Sequence, residues 1–381
     1  MNHSIFIECF GDMKDERVER TKKHLLLDII ALVLFAIMAG ATTFDEIELF
    51  GEVHIDWLKQ YLQLPNGIPS HDTIRRVLGF LDHKMLIDNF MTWIGKIKNL
   101  FKETVVPIDG KTMRGSHRKS KGLKALHVLS AYSCANGLSL GQLKVDGKTN
   151  EITQIPELLK QIAIAGAIVT IDAMGCQKDV AAAIVEQEAD YILTVKDNQG
   201  NMHEAIEDVF QLSENKQFNK DMDINTFEEE IECEHGRLVT REIKTLPADM
   251  IAHAVPLQEW AQLHTIVQVT STDHKTETLT IEKRYYITSL DNKESQRISN
   301  GIRAHWSIEN KLHWSLDVTF KEDDSRIRDD NTALNFAWFR KMALSFLKPI
   351  TIGKKKRSIK QKMIMNHARP ANIEKYMEQV I

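Results

Sequence analysis

Two short apolar runs in this chain each end in an aspartate, and that repetition limits the folds open to it more than any other feature. The first is Val105-Val106-Pro107-Ile108-Asp109-Gly110-Lys111-Thr112-Met113-Arg114-Gly115-Ser116, and the second is Ala167-Ile168-Val169-Thr170-Ile171-Asp172-Ala173-Met174-Gly175. A charge at the end of an apolar strand costs free energy unless it is paired or bound to a cation. The carboxyl ends of parallel strands are also where α/β sheets place ligands. Taken alone, Asp109-Gly110 between apolar runs is equally a hairpin-turn signal. Asp172 resists the local reading, because it lies too early to cap the helix expected to begin near Gln177. Two acids delivered this way suggest one cation site. A third acid is then expected, since Mg²⁺ is held by few carboxylates plus substrate oxygens.

The elements around the pair agree with a sheet. Strands are predicted over 105–108, 125–132, 137–145, 167–171 and 190–195, with helices over about 151–165 and 178–187. The first three strands are close enough for an antiparallel meander, and the later strand–helix alternation implies parallel neighbours. Residues from about 200 to 290 read as a β-rich insertion, followed by helices over 300–316 and 332–347. Residues 1–100 are expected to be helical, over 25–41, 44–50 and 57–64, with a turn at Asn66-Gly67-Ile68-Pro69. Ser70 suits an N-cap. The helix after it carries Ile74, Val77, Leu78 and Leu81, the spacing of one buried face, with Arg75 and Arg76 off that stripe. This turn and helix fit either a DNA-reading element or an ordinary amphipathic helix with solvated arginines.

Bulk properties narrow the class. A length of 381 residues allows two or three domains of ~150 residues. Four cysteines (Cys9, Cys134, Cys176, Cys233) lie far apart, which suits a reducing cytosol rather than a disulfide framework. Glu8 stands where a signal peptide would carry basic residues, and the apolar run 29–41 is too short to span a bilayer. No membrane association is expected. The net charge of −4 does not favour a nucleic-acid partner, so such a partner requires local cationic patches. Two are present. Lys111, Arg114, Arg118, Lys119, Lys121 and Lys124 follow the first aspartate with no acid among them. A second run spans 348–362 and reads equally as a solvated tail or a phosphate contact.

The third acid is sought in Arg303-Ala304-His305-Trp306-Ser307-Ile308-Glu309-Asn310-Lys311-Leu312-His313-Trp314-Ser315-Leu316-Asp317. His305, Glu309 and His313 are four apart and share a helix face. Trp306 and Trp314 beside them suit either core or base contact. The His-Glu-His triple also allows a zinc site, although it lacks the metalloprotease spacing.

Ile108-Asp109-Gly110-Lys111-Thr112, Val169–Gly175 and His305–Trp314 resemble the three acidic motifs of insertion-sequence DDE transposases, nearest the H-repeat-associated group. Asn66–Thr73 and Lys148-Thr149-Asn150-Glu151-Ile152 also match that group, so the resemblance covers nearly the whole chain. It implies an α/β (α+β) fold: a ribonuclease-H-like catalytic core over 101–381 with a mixed sheet and a β-rich insertion, preceded by a helical N-terminal domain over 1–100. It implies Asp109, Asp172 and Glu309 as catalytic, metal-binding residues. The cofactor would be two Mg²⁺ ions, with Mn²⁺ as a possible substitute. The partner would be double-stranded DNA, both element ends and target, bound by a homodimer in the bacterial cytoplasm at the nucleoid. DNA contacts are expected from Lys111, Arg114, Arg118, Lys119, His305, Trp306, Asn310, Arg75 and Arg76. Related groups carry a Tyr-Arg-Glu-Lys signature around the third acid; here Ile302, His305 and Leu316 stand at the Tyr, Arg and Lys places.

Overall fold

A computed structural model describes residues 3–95, 104–117, 124–146, 151–215, 222–229, 232–234, 237–274, 279–349, 351 and 355–379. The chain begins with helices α1 (His3–Phe10), α2 (Leu26–Met38), α3 (Phe44–Val53), α4 (Ile55–Leu58), α5 (His71–Phe80) and α6 (His83–Gly95). Then come β1 (Val105–Met113), β2 (Leu126–Ser133), β3 (Leu138–Val145), α7 (Glu151–Leu159), β4 (Ile168–Ile171), α8 (Lys178–Val185), β5 (Asp190–Val195) and α9 (Gly200–Ser213). The next segment supplies β6 (Asn225–Glu228), β7 (Glu232–Glu234), β8 (Arg237–Pro247), β9 (Thr265–His274) and β10 (Leu279–Thr288). Helix α10 (Ser295–Ser307) runs into a π-helix (Ile308–His313), and α11 (Trp314–Val318), α12 (Asp330–Leu347), α13 (Ile359–Ala368) and α14 (Ala371–Gln379) complete the chain. Among the described residues no helix is long and apolar enough to cross a membrane.

The chain divides into two compact units. The first joins Met1–Leu100, Gly110–Lys148 and Glu309–Ile381; the second joins Phe101–Asp109 and Thr149–Ile308. The boundary cuts β1 between Asp109 and Gly110.

The first unit is built around α12. This helix is buried on all sides, Arg340 and Lys341 included, and packs on α2, α5, α6 and the β2–β3 pair. A helix so enclosed needs apolar residues around its whole circumference, and Phe336, Trp338, Phe339 and Phe346 supply them. Helix α2 is the apolar run expected at 29–41, buried from Asp28 to Met38. Its one early acid is satisfied: the Asp28 carboxylate accepts the Leu64 amide at 2.8 Å. Helix α5 is capped by Ser70, which accepts from the Thr73 amide, and buries Ile74, Val77 and Leu78 as its spacing predicts. Arg75 and Arg76 are exposed. The end of β1 places Met113 among Leu126, Val128, Ala333, Leu334 and Ala337.

The second unit is a mixed sheet in the order β1-β4-β5-β10-β9-β8-β6, with β7 on β8. Strands β1, β4 and β5 are parallel. All four residues of β4 are buried, as a strand covered on both faces requires. Helix α7 is shorter than expected and tolerates Pro156 in its interior. The β-rich segment joins this same sheet: β10 pairs antiparallel with β5, Thr288 opposite Ile192, and β9 and β8 follow. Strand β10 starts earlier than the apolar pattern suggests because Leu279–Lys283 is exposed on both faces, so it shows no hydrophobic alternation.

One alternative falls at this point. Asp109-Gly110 is not a hairpin turn, because β1 continues through both residues to Met113.

Candidate functional site

In the second unit, Val105, Val106, Pro107 and Ile108 of β1 lie opposite Ile168, Val169, Thr170 and Ile171 of β4. Asp109 and Asp172 are each the next residue along: Asp109 lies within β1, just past the stretch paired with β4, and Asp172 directly follows the last residue of β4. Both are half-buried. Asp172 has extended backbone (φ −67°, ψ 178°), and its side chain caps nothing in the short turn Ala173–Gly175 that follows. That turn packs close over β4. A Cβ on Gly175 would lie 2.2 Å from Ile171 Cγ2 and 2.9 Å from Ile155 Cδ1, so glycine is required where the chain leaves the acid.

Helix α10 covers this part of the sheet. Ile298 and Ile302 pack with Ile168 and Ile192. Gly301 allows the close approach, since a Cβ there would meet Ile192 Cδ1 at 2.5 Å. The packing sets His305 at Thr170, ring Nδ1 to Oγ1 at 3.0 Å. Burial pushes the His305 pKa down, and the Asp172 charge opposes this without overcoming it. The ring is therefore neutral at pH 7 and adds no positive charge beside Asp172. Trp306, next along, is 45 % exposed and carries the Arg284 guanidinium over its ring at 5.1 Å. It is not a core residue, and neither is Trp314, 58 % exposed in the first unit.

Glu309 stands four residues after His305, in the first turn of the π-helix. Wide helical turns of this kind recur at functional sites. Ile308 and Leu312 are buried, which turns Glu309, Asn310 and Lys311 outward.

Lys111 behaves differently from its sequence reading as a DNA-facing cation. Its side chain is 12 % exposed, and its ammonium is bound within the first unit by Asp317, by Glu322 at 2.7 Å and by Asp323 at 3.6 Å. Burial alone would push Lys111 down, but Glu322 and Asp317 outweigh it and hold its pKa above the usual lysine value. Burial would push Glu322 up; Lys111, Arg340 and Lys341 prevail and hold it low. Lys341 donates to Ser130 Oγ at 2.7 Å and Gln142 Oε1 at 2.5 Å, and its burial lowers its pKa to about 8. Arg340 stacks on Phe336 at 4.4 Å, and its guanidinium nitrogens find no hydrogen-bond partner among the described residues. The phosphate-contact role expected of Lys111 is thus replaced by an internal one.

Of the other expected contacts, Arg114 is 87 % exposed, with Asp323 at 3.7 Å. Arg118 and Lys119 lie outside the described residues. The second cationic run is partly inward: Lys348 donates to Tyr132 Oη at 2.9 Å and Lys362 to the Leu347 carbonyl at 2.6 Å. Asp317, Glu322, Asp323, Arg340 and Lys341 were not legible as a cluster. The charged run Lys321–Asp330 was the only local signal.

Among the described residues, no three His, Cys, Asp or Glu side chains are grouped so as to hold a metal ion. Asp109 and Asp172 are nonetheless donors of the right chemistry. Two hard carboxylates in neighbouring positions suit Mg²⁺, which takes one or two carboxylates and fills its shell with water and substrate oxygens.

Comparison with known proteins gives the family. The family described as "Transposase DDE domain" matches residues 100–346, and the "DDE_Tnp_1-associated" family matches residues 7–94. This chain belongs to the DDE transposase family. Among relatives of this DDE transposase, YncI of Escherichia coli O157:H7 is 39% identical over 356 residues, 91% of this chain and 88% of YncI. The H repeat-associated protein YhhI of E. coli (strain K12) is 39% identical over 349 residues, 90% of this chain and 89% of YhhI. A solved piggyBac transposase synaptic complex with hairpin DNA overlaps at TM-score 0.41 and 13% identity, covering 98% of this chain and 77% of that one. The strand order of the transposase, with β1, β4 and β5 parallel, fits a ribonuclease-H-like core.

Proposed function

We propose that this transposase cleaves DNA at the ends of its element and transfers the freed 3′ ends to target DNA, with Asp109, Asp172 and Glu309 as its metal-holding carboxylates. The observation that carries the reading is the β1–β4 register, which gives Asp109 and Asp172 equivalent positions one residue past the paired stretch of neighbouring parallel strands. The family resemblance of the His305–Trp314 motif adds Glu309. Two Mg²⁺ ions, or Mn²⁺ in their place, would supply Lewis-acid stabilisation of charge on the scissile phosphate.

The chain's own residues have separable tasks. Asp109, within β1, and Asp172, directly after β4, would present oxygens from sheet-anchored backbone, which fixes them better than a long loop would. Neutral His305, hydrogen-bonded to Thr170, leaves the charge of Asp172 available to a cation. Exposed Asn310 and Trp306 would contact the nucleotide, and exposed Arg114 a backbone phosphate. Two chains would act together on two DNA ends.

The test uses duplex DNA taken from the sequence flanking the gene, Mg²⁺, and Asp109→Asn, Asp172→Asn and Glu309→Gln. Each substitution should abolish both nicking and joining while DNA is still bound. Cleavage surviving any one of them removes that residue from the assignment. Cut ends without a joined product would make the chain a nuclease of the same fold, and binding with no cleavage by the wild type would make it an inert DNA-binding protein.

A further inference from the structure

Two openings in the first unit share a wall. One is a groove of about 980 Å³ between the start of α3 at Thr43 and Phe44, the Arg75–Phe80 end of α5, and the stretch from Lys321 to Asp329. The other, about 440 Å³, lies between that stretch and Gly115 and His117. Asp324, Arg326 and Arg328 line both. The two openings thus form one trough, from the segment that follows β1 to the exposed face of α5.

Five cations line the trough, Arg75, Arg76, Lys321, Arg326 and Arg328, against the acids Asp45, Asp323, Asp324 and Asp329. Lys321, Arg326 and Arg328 are exposed and make no hydrogen bond or ion pair among the described residues. Across from them, Arg76 gives only its Nε to the Asp72 carbonyl, at 3.3 Å. Arg75 pairs with Asp72 at 3.1 Å, and both side chains are mostly solvated, so the pair yields readily to a competing anion. Of the acids along the trough, Asp329 is committed to α12 as its N-cap, accepting the Thr332 amide at 2.8 Å, and Asp323 faces the Lys111 ammonium at 3.6 Å.

The arginine stretch is also held in place, unlike a solvated charged tail. Gly115 lets its backbone pass: a Cβ there would meet the carbonyl oxygens of Asp323 and Ser325, both at 2.5 Å. Glu322 and Asp323 fasten the stretch to Lys111. Cations set on a fixed backbone lose less conformational entropy on meeting phosphate than free side chains do.

We propose that this trough binds the sugar–phosphate backbone of duplex DNA, with α5 and the Lys321–Arg328 stretch as its two walls. The inference rests on the reading that DNA is the partner. It deepens that reading by dividing DNA binding between the N-terminal helices and a segment more than two hundred residues further on. Phe80, 63 % exposed at the edge of the groove, gives the same wall an apolar face toward sugar or base.

The experiment measures affinity of the full chain, carrying Asp109→Asn to stop chemistry, for a short duplex of arbitrary sequence over a range of salt concentrations. Each lost phosphate contact should flatten the slope of log K against log salt by about 0.9, so Arg326→Gln with Arg328→Gln should flatten it by about 1.8 and weaken binding on the order of tens of fold at ~0.1 M salt. Arg75→Gln with Arg76→Gln should do the same, and the four together should add. The Arg→Lys versions should retain the slope, which separates lost charge from lost fold. Lys160→Gln, an exposed cation elsewhere, should change nothing. The proposal is overturned if either glutamine pair leaves the slope intact, if only binding to an RNA duplex responds, or if inorganic phosphate competes beyond its ionic strength. Because binding is read and not cleavage, a flat result here leaves the Asp109 and Asp172 assignment standing, and failure of that assignment leaves this result standing.

Discussion

Replacing Lys111 with Met should destabilise the first unit severely, although the residue follows the first aspartate by only two positions and reads in sequence as a surface cation. Lys111 is 12 % exposed and lies 2.7 Å from Glu322, itself 3 % exposed. Methionine keeps the stem and deletes the charge, which leaves Glu322 buried with only Arg340 and Lys341 as through-space partners. Removing one member of a buried pair costs about 3–5 kcal/mol, because the remaining charge is still desolvated. The pH dependence gives the argument a second handle. In the wild type the Glu322 pKa is held below its unfolded value. It therefore contributes stability above ~4.3, the unfolded carboxyl pKa, and that contribution is lost as pH falls through the folded value. In Lys111→Met the charged form loses its nearest partner, so the deficit should be largest near neutral pH and shrink as the solution approaches ~4.3. Urea unfolding of wild type, Lys111→Met, Glu322→Gln and the double variant over that range supplies the cycle. The double variant should recover at least half of the single variant's loss. A cost for Lys111→Met below about 1 kcal/mol at neutral pH, or a loss untouched by Glu322→Gln, would refute the buried-pair reasoning.

Other consequences follow from the same geometry. Burial lowers the His83 pKa to about 4 and that of His313 to about 3. Both stay neutral in the fold while the unfolded chain takes up protons below ~6.5, so stability should fall on acidification, by about 2 kcal/mol for each at a pH of about 5; His83→Gln should flatten that slope in denaturation curves. Gly115→Ala forces a methyl between two carbonyl oxygens at 2.5 Å, so it should cost about 1–3 kcal/mol, and it should weaken duplex binding together with stability. Thr43→Ala removes a capping box that Thr43 and Glu46 complete at the start of α3, which should lower the unfolding free energy by about 1 kcal/mol, read in urea denaturation curves.

Much of the fold was legible because it rests on local periodicity. The buried stripe of α5, the wholly apolar α2 and the order of β1 to β5 each follow from spacing over a few residues. The two aspartates were legible for the same reason, since each ends an apolar run. The site's third acid was placed by resemblance; the structure adds the π-helix that turns Glu309 outward, which sequence spacing does not encode. The tryptophans were ambiguous between core and contact, and only the packing of Ile308 and Leu312 resolved it, by facing Trp306 and Trp314 to solvent.

What the sequence determined by itself, then, is which segments become strands and helices and which acids close their apolar runs, because near neighbours control backbone preference and apolar face. The tertiary structure decided three further matters. It made Asp109-Gly110 part of a continuing strand instead of a turn: β1 runs on to Met113, past Ile108, where its pairing with β4 ends. It turned Lys111 from a surface cation into the centre of a buried cluster, because its carboxylate partners come from 317, 322 and 323. It also aligned Arg326 and Arg328 with Arg75 and Arg76 along one trough. Charge is long-ranged and pattern is local, so where a charge finds its partner is settled only when the chain has folded.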